Sequence, residues 1–168
     1  FISIYSSSFT LMLVLVIGDL YIPEREIVIP EQFIKLLQPR GKIDTVLCLG
    51  NVSTSPESET FLQNLSSEYH CVRGESDDTV LESSMVFQFE GLKVAMTNGY
   101  QIVPHNDPLA QLQVARMMDV DVLLCGSTHQ VEAYILEGKF FVNPGSATGA
   151  FTTTLNSTDT IPIDPSFC

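Results

Sequence analysis

The sequence predicts an α/β fold of two packed mixed β-sheets flanked by helices. Strand-length apolar runs alternate with helical stretches in the first half of the chain, which indicates parallel pairing with helical crossovers. Paired strand runs joined by Glu-Gly turns enter in the second half, which adds antiparallel pairing. The composition, 168 residues of which 45% are hydrophobic and 17% charged, is that of one packed domain with a substantial core.

The elements follow in order. Residues 13–17 form a continuous branched apolar run, as a strand covered on both faces does. Phe33, Ile34, Leu36 and Leu37 share one face of a helix over 31–38, which Pro39 and Gly41 end. A second buried strand covers 45–49. A second helix over 56–68 opens with Pro56 and carries Phe61, Leu62 and Leu65. A third strand covers 69–72. Residues 85–89 and 92–97, joined at Glu90-Gly91, form a hairpin. A third helix over 108–118 precedes a buried strand over 120–125. The strands over 131–136 and 139–142, joined at Glu137-Gly138, form a second hairpin. No internal repeat or linker divides the chain.

The balance of 20 acidic against 8 basic residues, a formal charge of −12, leaves no basic surface to neutralise a run of phosphates, so nucleic acid and direct adhesion to anionic membranes are excluded as partners. Cys48, Cys71, Cys125 and Cys168 match no CxxC spacing. Buried thiols of a cytosolic protein are expected rather than disulfides. The N-terminal stretch FISIYSSSFTLMLVLVIG lacks the preceding Lys or Arg and the small-residue cleavage site of a signal peptide. Its apolar run is also far shorter than the roughly 20 residues that cross a bilayer. Met12 stands just ahead of the first strong strand, so residues 1–11 are expected as a disordered extension and 12–168 as the folded domain. The chain stops at PSFC, where a new apolar stretch begins, and a cut C-terminus is expected.

Five polar residues recur in one arrangement. Asp19, Asn51, Glu75, Asn98 and His129 each follow an apolar strand by one to four positions, so parallel strands deliver them to one crevice at their carboxyl ends. Gly18, Gly50, Gly74, Gly99 and Gly126 accompany them. Taken singly, Gly-Asp and Gly-Asn are ordinary turn dipeptides, and a lone Thr-His is an ordinary loop. The recurrence in order is what marks a site.

That order resembles the GDxH, GDxxD, GNH, GH and GHxH pattern of the calcineurin-like metallophosphoesterases, which fold as an α-β-β-α sandwich. The stretches LVLVIGDLYIP, CVRGESDD, NGYQIVP, VDVLLCGSTHQVEAY and KFFVNPGSATGAF resemble more specifically the branch that provides the small subunit of the retromer complex. The resemblance runs from about Met12 to Phe167. It implies a metal pocket at Asp19, Asn51, Glu75 and His129, with Asn51 where catalytic members have a bridging Asp. It also implies that Tyr21, Tyr100 and Ser127 stand where three histidines are found. A neutral amide cannot share charge between two cations, and phenols and hydroxyls are weak ligands beside imidazole. The expectation is a vestigial site that is not an enzyme's. It requires no cofactor and holds at most one weakly bound divalent ion, zinc or manganese, against Asp19, Asn51 and His129. The alternative is a divergent metal-dependent phosphodiesterase.

What the resemblance implies about partners falls on two surfaces. Beside the pocket, Ile102 and Val103 are expected to meet the long helical-repeat retromer subunit, vacuolar protein sorting-associated protein 35, unless one of them tucks inward. On the opposite side, Leu13 and Leu37 are expected in an apolar groove for regulators carrying proline-leucine segments, or equally as core. The implied role is a scaffold in endosome-to-Golgi retrieval of cargo receptors. The implied location is cytoplasmic, peripheral on endosome membranes through the complex and without direct membrane insertion.

Overall fold

The computed structural model describes residues 2–5, 11–37, 43–52, 55–78, 80–89 and 91–150. In chain order the elements are β1 (Ile2–Tyr5), β2 (Leu11–Ile17), α1 (Glu31–Leu37), β3 (Thr45–Cys48), α2 (Pro56–Gln63) and β4 (Glu68–Cys71). There follow β5 (Ser84–Phe89), β6 (Leu92–Thr97), α3 (Pro108–Met117), β7 (Val122–Cys125), β8 (Val131–Leu136) and β9 (Lys139–Pro144). They build a four-stranded sheet ordered β1-β2-β3-β4 and a five-stranded sheet ordered β5-β6-β7-β9-β8. Both sheets are mixed. β2, β3 and β4 run parallel with β1 antiparallel at the edge, while β6, β7 and β9 run parallel between antiparallel β5 and β8.

Side chains alternate across a strand with a period of two, and here each face of each sheet has its own neighbour. Leu15 and Ile17 of β2, with Val46 and Cys48 of β3, face Phe33 and Leu37 of α1 and Leu62 of α2. Val14, Leu47 and Leu49 point the other way, against Val94, Met96 and Leu124 of the second sheet. Ala95, Leu123 and Phe141 use that sheet's far face to receive Leu112 and Ala115 of α3. Three apolar layers thus separate four layers of structure, the expected α-β-β-α sandwich.

The helices start where local chemistry starts them. Ser55 caps α2 by accepting from the Ser58 N–H at 3.3 Å, with Pro56 at the first helical position and Glu57 and Glu59 in the first turn. Asp107 caps α3 by accepting from the Leu109 N–H at 2.9 Å, with Pro108 following.

Two expectations are corrected here. The stretch over 1–11 is not wholly an extension: Ile2–Tyr5 pairs antiparallel with residues 11–14 as an edge strand. The reason is that β2 presents N–H and C=O groups on that side, which a short extended run can pair. Residues 6–10 lie outside the described residues, as does the expected cut end within 151–168. The second helix ends at Gln63 instead of 68, because Asn64 caps it. Ser66 then donates to the Asp44 carbonyl at 2.7 Å and accepts from the Glu68 N–H at 3.1 Å, which launches β4.

Cys48 and Cys125 are buried free thiols and Cys71 is a half-buried one, as expected, while Cys168 lies outside the described residues. Burial pushes the Cys125 thiol up to about 12, so it stays protonated and inert. Among the described residues no helix is long and apolar enough to cross a membrane.

Candidate functional site

The carboxyl ends of β2, β3, β4, β6 and β7 meet at one crevice, and the loops leaving them adopt left-handed backbone to turn there. Asp19, Tyr21, Asn51, Ser127 and His129 have φ of 54°, 45°, 58°, 72° and 59°. L-residues rarely adopt that region, and five such residues in one place mark a strained, over-determined site. Close packing of glycine backbone is part of what holds it. A Cβ on Gly74 would lie 2.2 Å from Asn51 Oδ1, and one on Gly126 would lie 2.7 Å from Asp19 Oδ2.

Asp19 is fully buried at the centre. Its Oδ1 accepts from Asn51 Nδ2 at 2.7 Å and from Asn98 Nδ2 at 3.2 Å, and its Oδ2 accepts from the Ser127 N–H at 2.8 Å. Asn98 also donates to the Leu49 carbonyl at 2.7 Å, tying the two sheets together. Asn51 is used on every side. Its amide also donates to the Tyr21 hydroxyl at 2.9 Å, and its Oδ1 accepts from the Ser76 N–H at 3.0 Å. The Tyr21 hydroxyl donates to Glu75 Oε1 at 3.1 Å and lies 3.2 Å from His129 Nε2. The two rings meet edge to face at 5.3 Å. Of the residues the sequence singles out, Asp19, Tyr21, Asn51, Glu75, Asn98, Ser127 and His129 are therefore one connected network. Tyr100 is half-buried in the turn after β6.

Four residues of the site are not singled out individually by the sequence. Asp77, buried, accepts backbone N–H groups of Asn51 at 2.8 Å, Val52 at 3.2 Å and Gly74 at 2.8 Å, joining the loops after β3 and β4. Ser146 and Thr148, inside NPGSATGA, donate at 2.7 Å to the carbonyls of Asp19 and Leu20 and so hold the first loop in place. Arg25 donates to the Gly149 carbonyl from the same loop.

Burial raises the Asp19 carboxyl above its ordinary 3.8, against the opposing pull of Ser127, Asn51, His129 and Asn98. A carboxyl so raised contributes stability below its unfolded value and loses it as pH climbs through the folded one. The melting-temperature difference between Asp19→Asn and the wild type is therefore expected to move in the variant's favour as pH rises from about 3.8. A difference independent of pH would show that Asp19 does not titrate abnormally. For Tyr21, burial first and then the Asp19 and Glu75 charges push the phenol well above its ordinary value, so its hydroxyl keeps its proton.

A two-metal centre needs several charged or imidazole donors with lone pairs aimed at shared points. Among the described residues no group of three or more His, Cys, Asp or Glu side chains converges closely enough to hold an ion. Both Asp19 oxygens already accept hydrogen bonds, and Asn51 supplies an amide where a charge is needed. The residues present do not fit a two-metal centre.

The partner-contact residues separate. Val103 is 75% exposed on the loop beside the crevice, but Ile102 is only 6% exposed. Of the two, Ile102 is the one that tucks inward: its N–H closes a turn on the Gly99 carbonyl at 3.0 Å and its side chain is buried. On the other side, Leu37 is buried yet lines an apolar cavity of about 240 Å³ with Leu15, Ile17, Phe33, Leu36 and Val131. Leu13 packs on the core beneath α1 and does not line that cavity.

The layered sandwich and its five loop-borne polar residues define a calcineurin-like phosphoesterase fold, and the calcineurin-like phosphoesterase superfamily domain matches residues 12–161. Vacuolar protein sorting-associated protein 29 of Schizosaccharomyces pombe is 44% identical, over 83% of this chain and 74% of its own. Its Saccharomyces cerevisiae counterpart is 43% identical over 84% of this chain. The chain spans 57% of the length of that relative. The crystal structure of Chaetomium thermophilum Vps29 superposes with a TM-score of 0.79 at 42% identity, covering 84% of this chain and 76% of that one. Wild-type Vps29 of Entamoeba histolytica complexed with Zn²⁺ gives 0.77 at 40% identity, covering 84% and 78%. C. thermophilum Vps29 complexed with a cyclic peptide gives 0.73 at 43% identity, covering 84% and 73%. Within the phosphoesterase superfamily, the chain belongs to the Vps29 family.

Proposed function

We propose that the chain is a non-catalytic scaffold subunit of retromer, acting in endosome-to-Golgi retrograde transport of cargo receptors. The observation that carries this reading is the crevice itself, where hydrogen bonds within the chain already use Asp19 and Asn51 beside an exposed Val103. A site arranged in this way supports shape and does no phosphoryl chemistry, so no metal is required. The likeness to vacuolar sorting proteins supports a place on endosome membranes through the complex. Val103 is the contact for the helical-repeat subunit, vacuolar protein sorting-associated protein 35. The apolar cavity lined by Leu37 receives proline-leucine segments of regulators, a use consistent with a relative that holds a cyclic peptide.

The competing reading is a divergent metal-dependent phosphodiesterase, favoured by the retained Asp19 and by the Entamoeba relative that takes zinc. The purified protein is expected to hydrolyse a generic phosphodiester no faster than manganese or zinc alone. Turnover above that background, lost on Asp19→Ala, would overturn the scaffold reading.

A further inference from the structure

One oxygen stands at the centre of the crevice. The Tyr21 hydroxyl lies 2.9 Å from Asn51 Nδ2, 3.1 Å from Glu75 Oε1 and 3.2 Å from His129 Nε2, and Asn51 Nδ2 links it to Asp19 Oδ1 at 2.7 Å. Glu75 and His129 are residue types that a cation would gather, whereas Asn51 turns an N–H toward the same point. We infer that the Tyr21 hydroxyl is a built-in occupant of the ion position, which closes this pocket to divalent metals and fixes His129 as the tautomer protonated on Nε2. The inference rests on the metal-free reading proposed above and names the side chain that enforces it.

Counting protons makes the argument. A phenol has one hydrogen to donate and lone pairs with which to accept. A carboxylate oxygen can only accept, so the phenol hydrogen goes to Glu75. Asn51 donates to the same phenol oxygen. The His129 contact at 3.2 Å then has no hydrogen left from the phenol, so the imidazole donates from Nε2. A ring nitrogen that carries a proton has no lone pair for a metal. One hydroxyl therefore both fills the ion position and ties up the imidazole nitrogen that faces it. The left-handed backbone at Tyr21, φ 45°, is rare for a bulky residue, and it is this turn that sets the phenol at that point.

Replacing the phenol with an imidazole converts the occupant into a ligand, and His tolerates left-handed backbone better than most residues. The test titrates zinc chloride into the full chain by calorimetry, with melting curves alongside. Tyr21→His is expected to bind one zinc at least about tenfold more tightly than the wild type and to melt higher with zinc than with a chelator. Tyr21→Phe removes the hydroxyl without supplying a ligand, so it is expected to bind zinc more tightly than the wild type but less tightly than Tyr21→His, and to melt lower than the wild type without zinc. On the unmodified protein, nitrogen-15 chemical shifts are expected to show His129 protonated on Nε2, a readout that needs no variant to fold. Wild-type zinc binding as tight as that of Tyr21→His would overturn the inference, and so would a His129 protonated only on Nδ1. Neither result bears on partner binding, so failure here is distinguishable from failure of the scaffold reading.

Discussion

Val103→Asp is expected to abolish binding to the helical-repeat retromer subunit while leaving the melting temperature of the free chain unchanged. Val103 is 75% exposed, so in the free subunit an aspartate there stays hydrated and costs the fold nothing. In the complex the same carboxylate is desolvated without a partner, a penalty of several kcal/mol, which corresponds to on the order of a thousandfold in affinity. Interface energy concentrates in a few residues of this kind. Ile102→Asp serves as the contrast. Its side chain is 6% exposed, so that variant is expected to lose stability first and binding only in consequence. Calorimetry with the purified partner, paired with thermal melts, separates the two. Wild-type affinity for Val103→Asp would remove the crevice face from the interface.

Asp77→Ala is expected to destabilise the fold more than any other single change in the crevice. The Asp77 carboxylate is the acceptor for three backbone N–H groups, those of Asn51, Val52 and Gly74. Each buried donor left unsatisfied costs about 1–3 kcal/mol, so the variant loses several kcal/mol. For a chain of this size that is a fall in melting temperature of roughly 10 °C or more. Asp77→Asn keeps one acceptor oxygen and is expected to fall between the two. Wild-type melting for Asp77→Ala would show that this carboxylate does not hold the loops after β3 and β4.

The layers were legible because β2 is apolar at every position and β3 and β6 carry the uninterrupted apolar runs 46–49 and 94–96, and such runs are buried on both faces. The site was legible as well. Gly-Asp at 18–19, Gly-Asn at 50–51 and the polar residues after β6 and β7 each stand at the end of a parallel strand, a rule of chain direction rather than of side-chain detail. What escaped was decided by neighbours distant in sequence. Ile2–Tyr5 reads as an extension until the free edge of β2 is placed beside it. Ile102 and Val103 are adjacent apolar residues, and only the turn closed on Gly99 decides which of them points inward. Asp77 looks like one more acidic residue of a loop, because two of the three amides it holds, those of Asn51 and Val52, lie at a different strand end. The replacement of histidine by Tyr21 reads as the loss of a ligand. In space it is an occupant, joined to residues 30, 54 and 108 positions away.

The measurement that bears most directly on the scaffold account is capture of the partner from native extract, with the wild-type chain and Val103→Asp as parallel baits and mass spectrometry to identify what is held. The account predicts that the helical-repeat retromer subunit is recovered with the wild type and lost with Val103→Asp. Absence of that subunit from the wild-type bait, or its equal recovery on both baits, would contradict it.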